Sequence, residues 1–374
     1  MKPRAAIAFL TIALAAGEAH LLAADLTVGP SQPFARLADA LAQARPGDVI
    51  TVQPLPGNQP YAQVALTVDQ PRLTIRSAGT SGRRVPLSGR VLNYAGENSL
   101  PRAIIQFNAN ATGCVLDGFE LFGAHNDSHN GAGVRINQAS NITIRNCEIH
   151  HNDMGIMSNG DGTLNRAQNQ LIEACVIHHN GDPTEPGQNH NLYLGGASVT
   201  LLDCDIYSSL TGHNVKSRAH RTEIRHCTIH DSANREVDLV DAPETAFPNS
   251  DALLIDNQIT KAMNCPGNRG VIHFGQDGGH PHNGTLILAG NTLRTPYIAP
   301  VIQLSSPLAK VVLNQNTFAS TGHQASGQIL IASSSPPLAA PVTGRDNKIS
   351  SSFNLLPPLA QNLEHTTLLN STNP

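Results

Sequence analysis

Five side chains of this 374-residue chain could move or steer a proton at one place: Tyr193, Lys216, Arg218, Asp238 and His273. Four of them sit at the centre of short alternating segments, Leu192-Tyr193-Leu194, Val215-Lys216-Ser217, Val237-Asp238-Leu239 and Ile272-His273-Phe274. A period of two puts the flanking residues on one face and the central one on the other, the pattern of a half-buried strand. Laid side by side in register, these strands make one outward column, extended by Arg135 and Met157 from Val134-Arg135-Ile136 and Ile156-Met157-Ser158. Neighbouring strands lie ~4.8 Å apart, so Tyr193, Lys216 and Asp238 would fall within about 10 Å of one another.

Lys216 is the candidate base for taking a proton from a carbon beside a carboxylate. Arg218, close by, would lower its pKa by like charge, and Asp238 would raise it. Tyr193 and His273 are alternative acids or bases, histidine titrating nearest neutrality. Arg135, Asn191, Asn214 and His213 are expected to bind substrate. A second column of Asn191, Asn214 and Glu236 offers oxygens of the kind Ca2+ takes, with water or substrate completing a shell of about six to eight. The carboxylates Glu236, Asp238 and Asp241 allow another reaction, since alternate strand positions point the same way about 7 Å apart, the spacing of an inverting glycosidase pair. A transition metal at His190 and His213 would lack its third and fourth ligands. The blandest alternative is a wetted outer face that only binds glycan. Against strong sugar stacking, the chain has no Trp, 5 Tyr and 9 Phe.

These segments belong to a repeat. Asn141-Ile-Thr-Ile-Arg-Asn-Cys147, Ser198-Val-Thr-Leu-Leu-Asp-Cys204 and Thr222-Glu-Ile-Arg-His-Cys227 are copies of one pattern, with equivalents at 119, 175, 257, 291 and 316. Their separations run from 23 to 34 residues, so the loops vary while the strands keep register. Three short strands per coil give an all-β, single-stranded right-handed parallel β-helix, a solenoid with one domain over 25–345. The segment 34–44, closed by Pro46-Gly47-Asp48, has helical spacing and reads as the N-terminal capping helix ahead of a first strand at 49–52. Residues 346–374 read as a C-terminal tail. Cys147, Cys175, Cys204 and Cys227 share one column, which points to a buried thiol ladder rather than disulfides, because equivalent positions one coil apart are poorly set for a bridge. Loops 180–188, 241–250 and 276–283 border the outward column and could wall a groove.

Lys2, Arg4, an apolar run over 7–16 and small residues at Ala19 and Ala24 read as a secretory signal over 1–24, which places the mature protein in the periplasm or outside the cell. That run is shorter than the ~20 residues of a membrane span. With 24 Lys+Arg against 28 Asp+Glu the net charge is -4, so no global basic field recruits nucleic acid.

The cap, the Pro-Gly-Asp turn, the stacked coils and the inward Asn/Cys turn together resemble the pectin-lyase-like superfamily over most of residues 25–345. His190-Asn-Leu-Tyr193 and Gly212-His-Asn-Val-Lys-Ser-Arg-Ala219 resemble segments of bacterial right-handed β-helix repeat proteins. That resemblance implies the fold but leaves activity open among lyases, glycosidases, esterases, epimerases and binders. β-Helix lyases use a Lys or Arg base, often with calcium, which Lys216, Arg218 and the Asn191, Asn214, Glu236 oxygens resemble in type. The Asn-Thr-Asp and Asp-Asp patterns of β-helix polygalacturonases are absent. The expectation is therefore an exported monomer acting on an acidic polysaccharide, as a lyase or uronate epimerase with Lys216 abstracting the proton. The alternatives are a non-catalytic binding protein and a glycoside hydrolase using Glu236, Asp238 and Asp241.

Overall fold

The computed structural model describes residues 23–79, 82–97, 100–185, 187–322, 327–334, 342–354 and 363–369. Residues 1–22, most of the segment read as a secretory signal, lie outside them. The described chain winds into three long sheets of 13, 11 and 10 strands, with a two-stranded pair near the C-terminal end, and the coils between Val115 and Leu304 each add one strand to each long sheet. Every strand pairing is parallel, and successive connections wind the same way, giving the right-handed parallel β-helix. Alternating Ile, Val and Leu fill the cylinder. Ile144, Ile172, Leu201, Ile224 and Leu254 stack rung upon rung in the 13-stranded sheet with at most 1% exposure.

A repeated sharp turn joins the first two sheets. The residue before each Cys or Asn of the repeat has positive φ: Asn146, Ala174, Asp203, His226, Asp256 and Gln315 all lie between 50° and 56°. One residue in the left-handed region lets the next side chain point inward. Cys147, Cys175, Cys204 and Cys227 occupy that inward place, buried, and all six cysteines are free. The column continues as amides. Asn257 Oδ1 accepts from Cys227 N at 2.8 Å, and Asn291, Asn316 and Asn347 repeat the arrangement at 3.0 Å.

Both ends differ from the boundaries read from the sequence. The capping helix is Leu37–Gln43, burying Leu37 and Ala40, so it starts inside the expected 34–44. The segment Val49–Val52 is the second strand, not the first, because Asp25–Val28 pairs with it ahead of the helix. Asp48 closes this end, its carboxylate accepting the N–H groups of Ala24 and Arg45 at 2.8 Å. At the other end the stack passes 345: Lys348–Ser350 and Thr367–Leu369 add rungs where a tail was expected. Pro, Ser and Asn mask such short strands in composition, but Asn347 still extends the amide column. No helix among the described residues is long and apolar enough to cross a membrane.

Candidate functional site

The 10-stranded sheet carries the candidate residues. Its register pairs Arg135 with Met157, Met157 with Tyr193, Tyr193 with Lys216, Lys216 with Asp238, and Asp238 with His273. The column therefore exists as one row on one wall, but its lower half is roofed. Loop 276–283 crosses it like a strap, setting Asp277 on Lys216 and Arg218, and Asp238 is 1% and His273 6% exposed.

Asp238 is the hub beneath that roof. Its Oδ1 accepts from His273 Nδ1 at 2.8 Å and Arg235 Nη1 at 3.1 Å, while Oδ2 faces Lys216 Nζ at 3.2 Å and His213 Nε2 at 3.3 Å. Burial by itself would raise the pKa of Asp238. The His273 hydrogen bond and the charge of Lys216 outweigh it and hold the carboxyl well below its ordinary range.

Lys216 and Arg218 do not face each other as bare cations. The Asp277 carboxylate lies between them, 2.7 Å from Lys216 Nζ and 3.0 Å from Arg218 Nη2. Arg218 also donates from Nε to the Tyr193 hydroxyl at 2.9 Å and from Nη1 to the Asp241 carbonyl. The like-charge pair expected from the sequence is thus bridged by an acid from the strap. The strap itself is tied down by Asp241, whose carboxylate accepts the backbone N–H groups of Asp277, Gly278 and His280. Burial opposes the ionised form of Asp241, but those three donors lower its pKa. Loop 241–250 supports the strap from behind, Thr245 donating to the Pro281 carbonyl at 2.9 Å. Loop 180–188 leans elsewhere, with Asp182 2.6 Å from His129.

Several expected ligands turn inward. Asn191, Asn214 and Glu236 are fully buried. They precede their strands at the bend, where the outward alternation does not apply, and form an internal ladder. Asn191 Nδ2 donates to Asn214 Oδ1 at 2.8 Å, Asn214 Nδ2 to Glu236 Oε2 at 2.6 Å, and Lys261 Nζ to Glu236 Oε1 at 3.1 Å. Each of their side-chain oxygens already accepts from protein donors, so the donor set does not fit Ca2+, nor do Asn191 and Asn214 reach substrate. Burial raises the pKa of Glu236 against the opposing pull of Lys261. The glycosidase set falls apart for the same reason: Glu236 points inward, Asp238 is enclosed, and Asp241 is a tether.

His213, expected on the substrate, sits behind Asp238. Burial lowers its pKa to about 4 despite that carboxylate, so the ring is neutral near pH 7. His190 stacks on it at 5.0 Å and on Tyr193 at 5.5 Å, its Nδ1 accepting the His213 backbone N–H, so the two histidines form a wall rather than a metal site. Among the described residues no group of three or more His, Cys, Asp or Glu is arranged to hold a metal ion. Arg135 stays on the column face, half-buried against Met157 and beside Arg102, in a cleft of about 370 Å³ with Gln106 and Asn108. Burial first, then Arg102, lowers its pKa.

Three members of the site were missed in the sequence. Arg235 lies before its strand, and Asp277 in a loop, where alternation says nothing. Ser305 follows Ile302–Leu304, whose Gln303 pairs with His273, and its Oγ lies 2.7 Å from His273 Nε2. Alternation from Gln303 would have turned Ser305 outward, a signal lost in the run of serines and prolines there.

No family model and no curated protein matches the chain. Among solved structures it is similar to an alginate lyase from Paenibacillus sp. str. FPU-7, at 16% identity and TM-score 0.55 over 80% of this chain and 98% of that one. It is also similar to pectate lyase Pel9A, at 14% identity and TM-score 0.49 over 89% and 78%. A pectin methylesterase from Aspergillus niger follows at 14% identity and TM-score 0.45 over 83% and 90%. At 16% identity the likeness to the alginate lyase shows a shared right-handed parallel β-helix fold and transfers no residue's role.

Proposed function

We propose that the protein is a carbohydrate-active enzyme that lays an acidic polysaccharide along the 10-stranded sheet and removes the proton beside a uronate carboxylate, as a lyase or epimerase. The carrying observation is Asp277: a carboxylate already sits between Lys216 and Arg218, at 2.7 and 3.0 Å. A uronate carboxylate taking its place would meet the same two cations, and neutralising that charge is what acidifies the adjacent C–H. The alginate lyase of like fold supports the same substrate class.

Lys216 was the expected base, but it serves better as half of the clamp. Asp238 remains its partner at 3.2 Å when Asp277 leaves. Tyr193 is the better proton carrier. Arg218 donates to its oxygen at 2.9 Å, so the contact does not use the phenolic hydrogen, and the half-buried ring faces the column. A β-elimination would appear as unsaturated-uronide absorbance on alginate, pectate or a glycosaminoglycan, and epimerisation as solvent deuterium entering the uronate carbon. Tyr193→Phe should abolish either signal, whereas Lys216→Arg should keep part of it and Lys216→Ala should not. Loss with Lys216→Arg equal to loss with Lys216→Ala would return the base to Lys216. The enclosure of Asp238 favours a second reading, a glycan-binding wall with a closed strap, identified by saturable binding without turnover on any of these chains.

A further inference from the structure

We propose that Asp238, His273 and Ser305 form an acyl-transfer relay, and that the protein hydrolyses short acyl oxoesters, with O-acetyl groups on a sugar chain as the substrate class. The three residues come from three successive coils. Asp238 and His273 are register partners, and Ser305 lies two positions beyond Gln303, the register partner of His273. The distances are 2.8 Å from Asp238 Oδ1 to His273 Nδ1 and 2.7 Å from His273 Nε2 to Ser305 Oγ.

The donor inventory fixes the roles. An ionised carboxylate can only accept, so His273 Nδ1 carries the hydrogen given to Asp238. The lone pair of a neutral ring is then on Nε2, facing the Ser305 hydroxyl, which is the arrangement of a general base before a nucleophile. Arg235 and Lys216, on the remaining sides of Asp238, keep that carboxylate charged. The hydroxyl is also placed by the strap. Gln276 N–H donates to Ser305 Oγ at 2.8 Å, and the Ser305 hydroxyl reaches the Gln276 carbonyl at 2.9 Å, an acceptor it leaves when its proton passes to His273.

The backbone beside the serine is shaped for close approach. Gly275 has φ +144°, and a Cβ there would stand 2.6 Å from both Ser305 Oγ and Ser306 N. Only glycine leaves room there for both the Ser305 hydroxyl and the backbone nitrogen of the following residue, the group that commonly steadies an acyl oxyanion. Ser305 is half-buried between Gln276 and buried Ser306, which favours a compact acyl group.

The chemistry balances with water as the only co-reactant. Ser305 Oγ bonds to the ester carbonyl carbon while its proton passes to His273 Nε2. The carbon–oxygen bond to the sugar breaks, and the sugar oxygen takes that proton. Water then attacks the acyl-serine, gives a proton to His273, and the relay returns it to Ser305 as the carboxylic acid leaves. This step uses neither Tyr193 nor the exchange of Asp277, so it stands or falls separately from uronate proton abstraction.

The test uses the full wild-type chain with a fluorophosphonate probe, the adduct being located by peptide fragmentation, and p-nitrophenyl acetate turnover. Labelling at Ser305 is expected, with Ser305→Ala and His273→Gln each lowering kcat/KM by at least ~10³-fold. Acetate should be released from an O-acetylated acidic polysaccharide. Because Ser305→Ala also loosens Gln276, the wild-type label is the deciding readout, and melting curves check that the variants fold. An unlabelled Ser305 at saturating probe, a label only on another serine, or unchanged turnover in folded Ser305→Ala would overturn the relay. Release of methanol from a methyl-esterified uronate chain, with no acetate from the acetylated one, would overturn the substrate class.

Discussion

Replacing Asp277 by Asn tests whether the strap carboxylate occupies a substrate position. The change removes one negative charge but leaves the backbone N–H that Asp241 holds, so the strap should keep its path. At 2.7 and 3.0 Å in a water-like dielectric, each charge contact is worth about 1.5 kcal/mol, and roughly four times that in a half-buried setting before desolvation is subtracted. The Asp277 side chain is 35% exposed, so the lower figure applies, and screening brings the pair of contacts to a net ~1–2 kcal/mol. An anionic ligand that must displace Asp277 works against that amount. In Asp277→Asn it no longer does, so uronate oligosaccharides should bind about 5–30-fold more tightly while the protein melts a few degrees lower. Calorimetric titration at low and high salt reads the affinity, and a thermal melt reads the stability. Unchanged or weakened binding in a folded variant would refute the substitution of one carboxylate for another, and with it the placement of the uronate.

Three further outcomes follow from buried groups. Lys261→Met leaves fully buried Glu236 without its ion-pair partner and should cost about 3–5 kcal/mol, read by denaturant titration; Glu236→Gln added to it should recover part of the loss. Because burial already raises the pKa of Glu236, the native state holds its proton longer than the unfolded chain, so the Lys261→Met deficit should grow as pH rises above the ordinary glutamate range. His213 and His282 are each pushed down to about 4 by burial, so the unfolded chain takes up protons first, and stability should fall as pH drops from about 6.5 to 4 by about 3 kcal/mol for each ring. Asp238, Lys216, Arg235 and His273 surround His213 throughout that window, and His213→Gln should flatten the acid limb of a melting-temperature profile. All six cysteines are buried and free, so a thiol reagent should find none in the native protein and six after denaturation; fewer than six would mean a disulfide and no thiol ladder.

Much of the scaffold was legible because it is periodic. A strand repeat shows its inward face through Ile, Val and Leu, and its turn through the recurring Cys or Asn, whatever the loops between them do. The same periodicity placed Tyr193, Lys216, Asp238 and His273 in one row, since register between parallel coils follows from matching buried positions. It misled at the bends. Asn191, Asn214 and Glu236 look outward when counted back from Leu192, Val215 and Val237, yet the chain turns there and sends them into an amide ladder ending on Lys261.

Residue order alone thus carried the β-helix, its stacking axis and the wall on which the polar row stands, because each depends on local alternation repeated every coil. Folding settled which of those side chains meet and through what. Asp277 reaches Lys216 and Arg218 from about 60 positions away, and Ser305 reaches His273 from 32, through loop paths that no alternation encodes. Charge and hydrogen-bond partnership act over a few ångströms of space, and where two loops close over one sheet that distance bears no relation to separation along the chain.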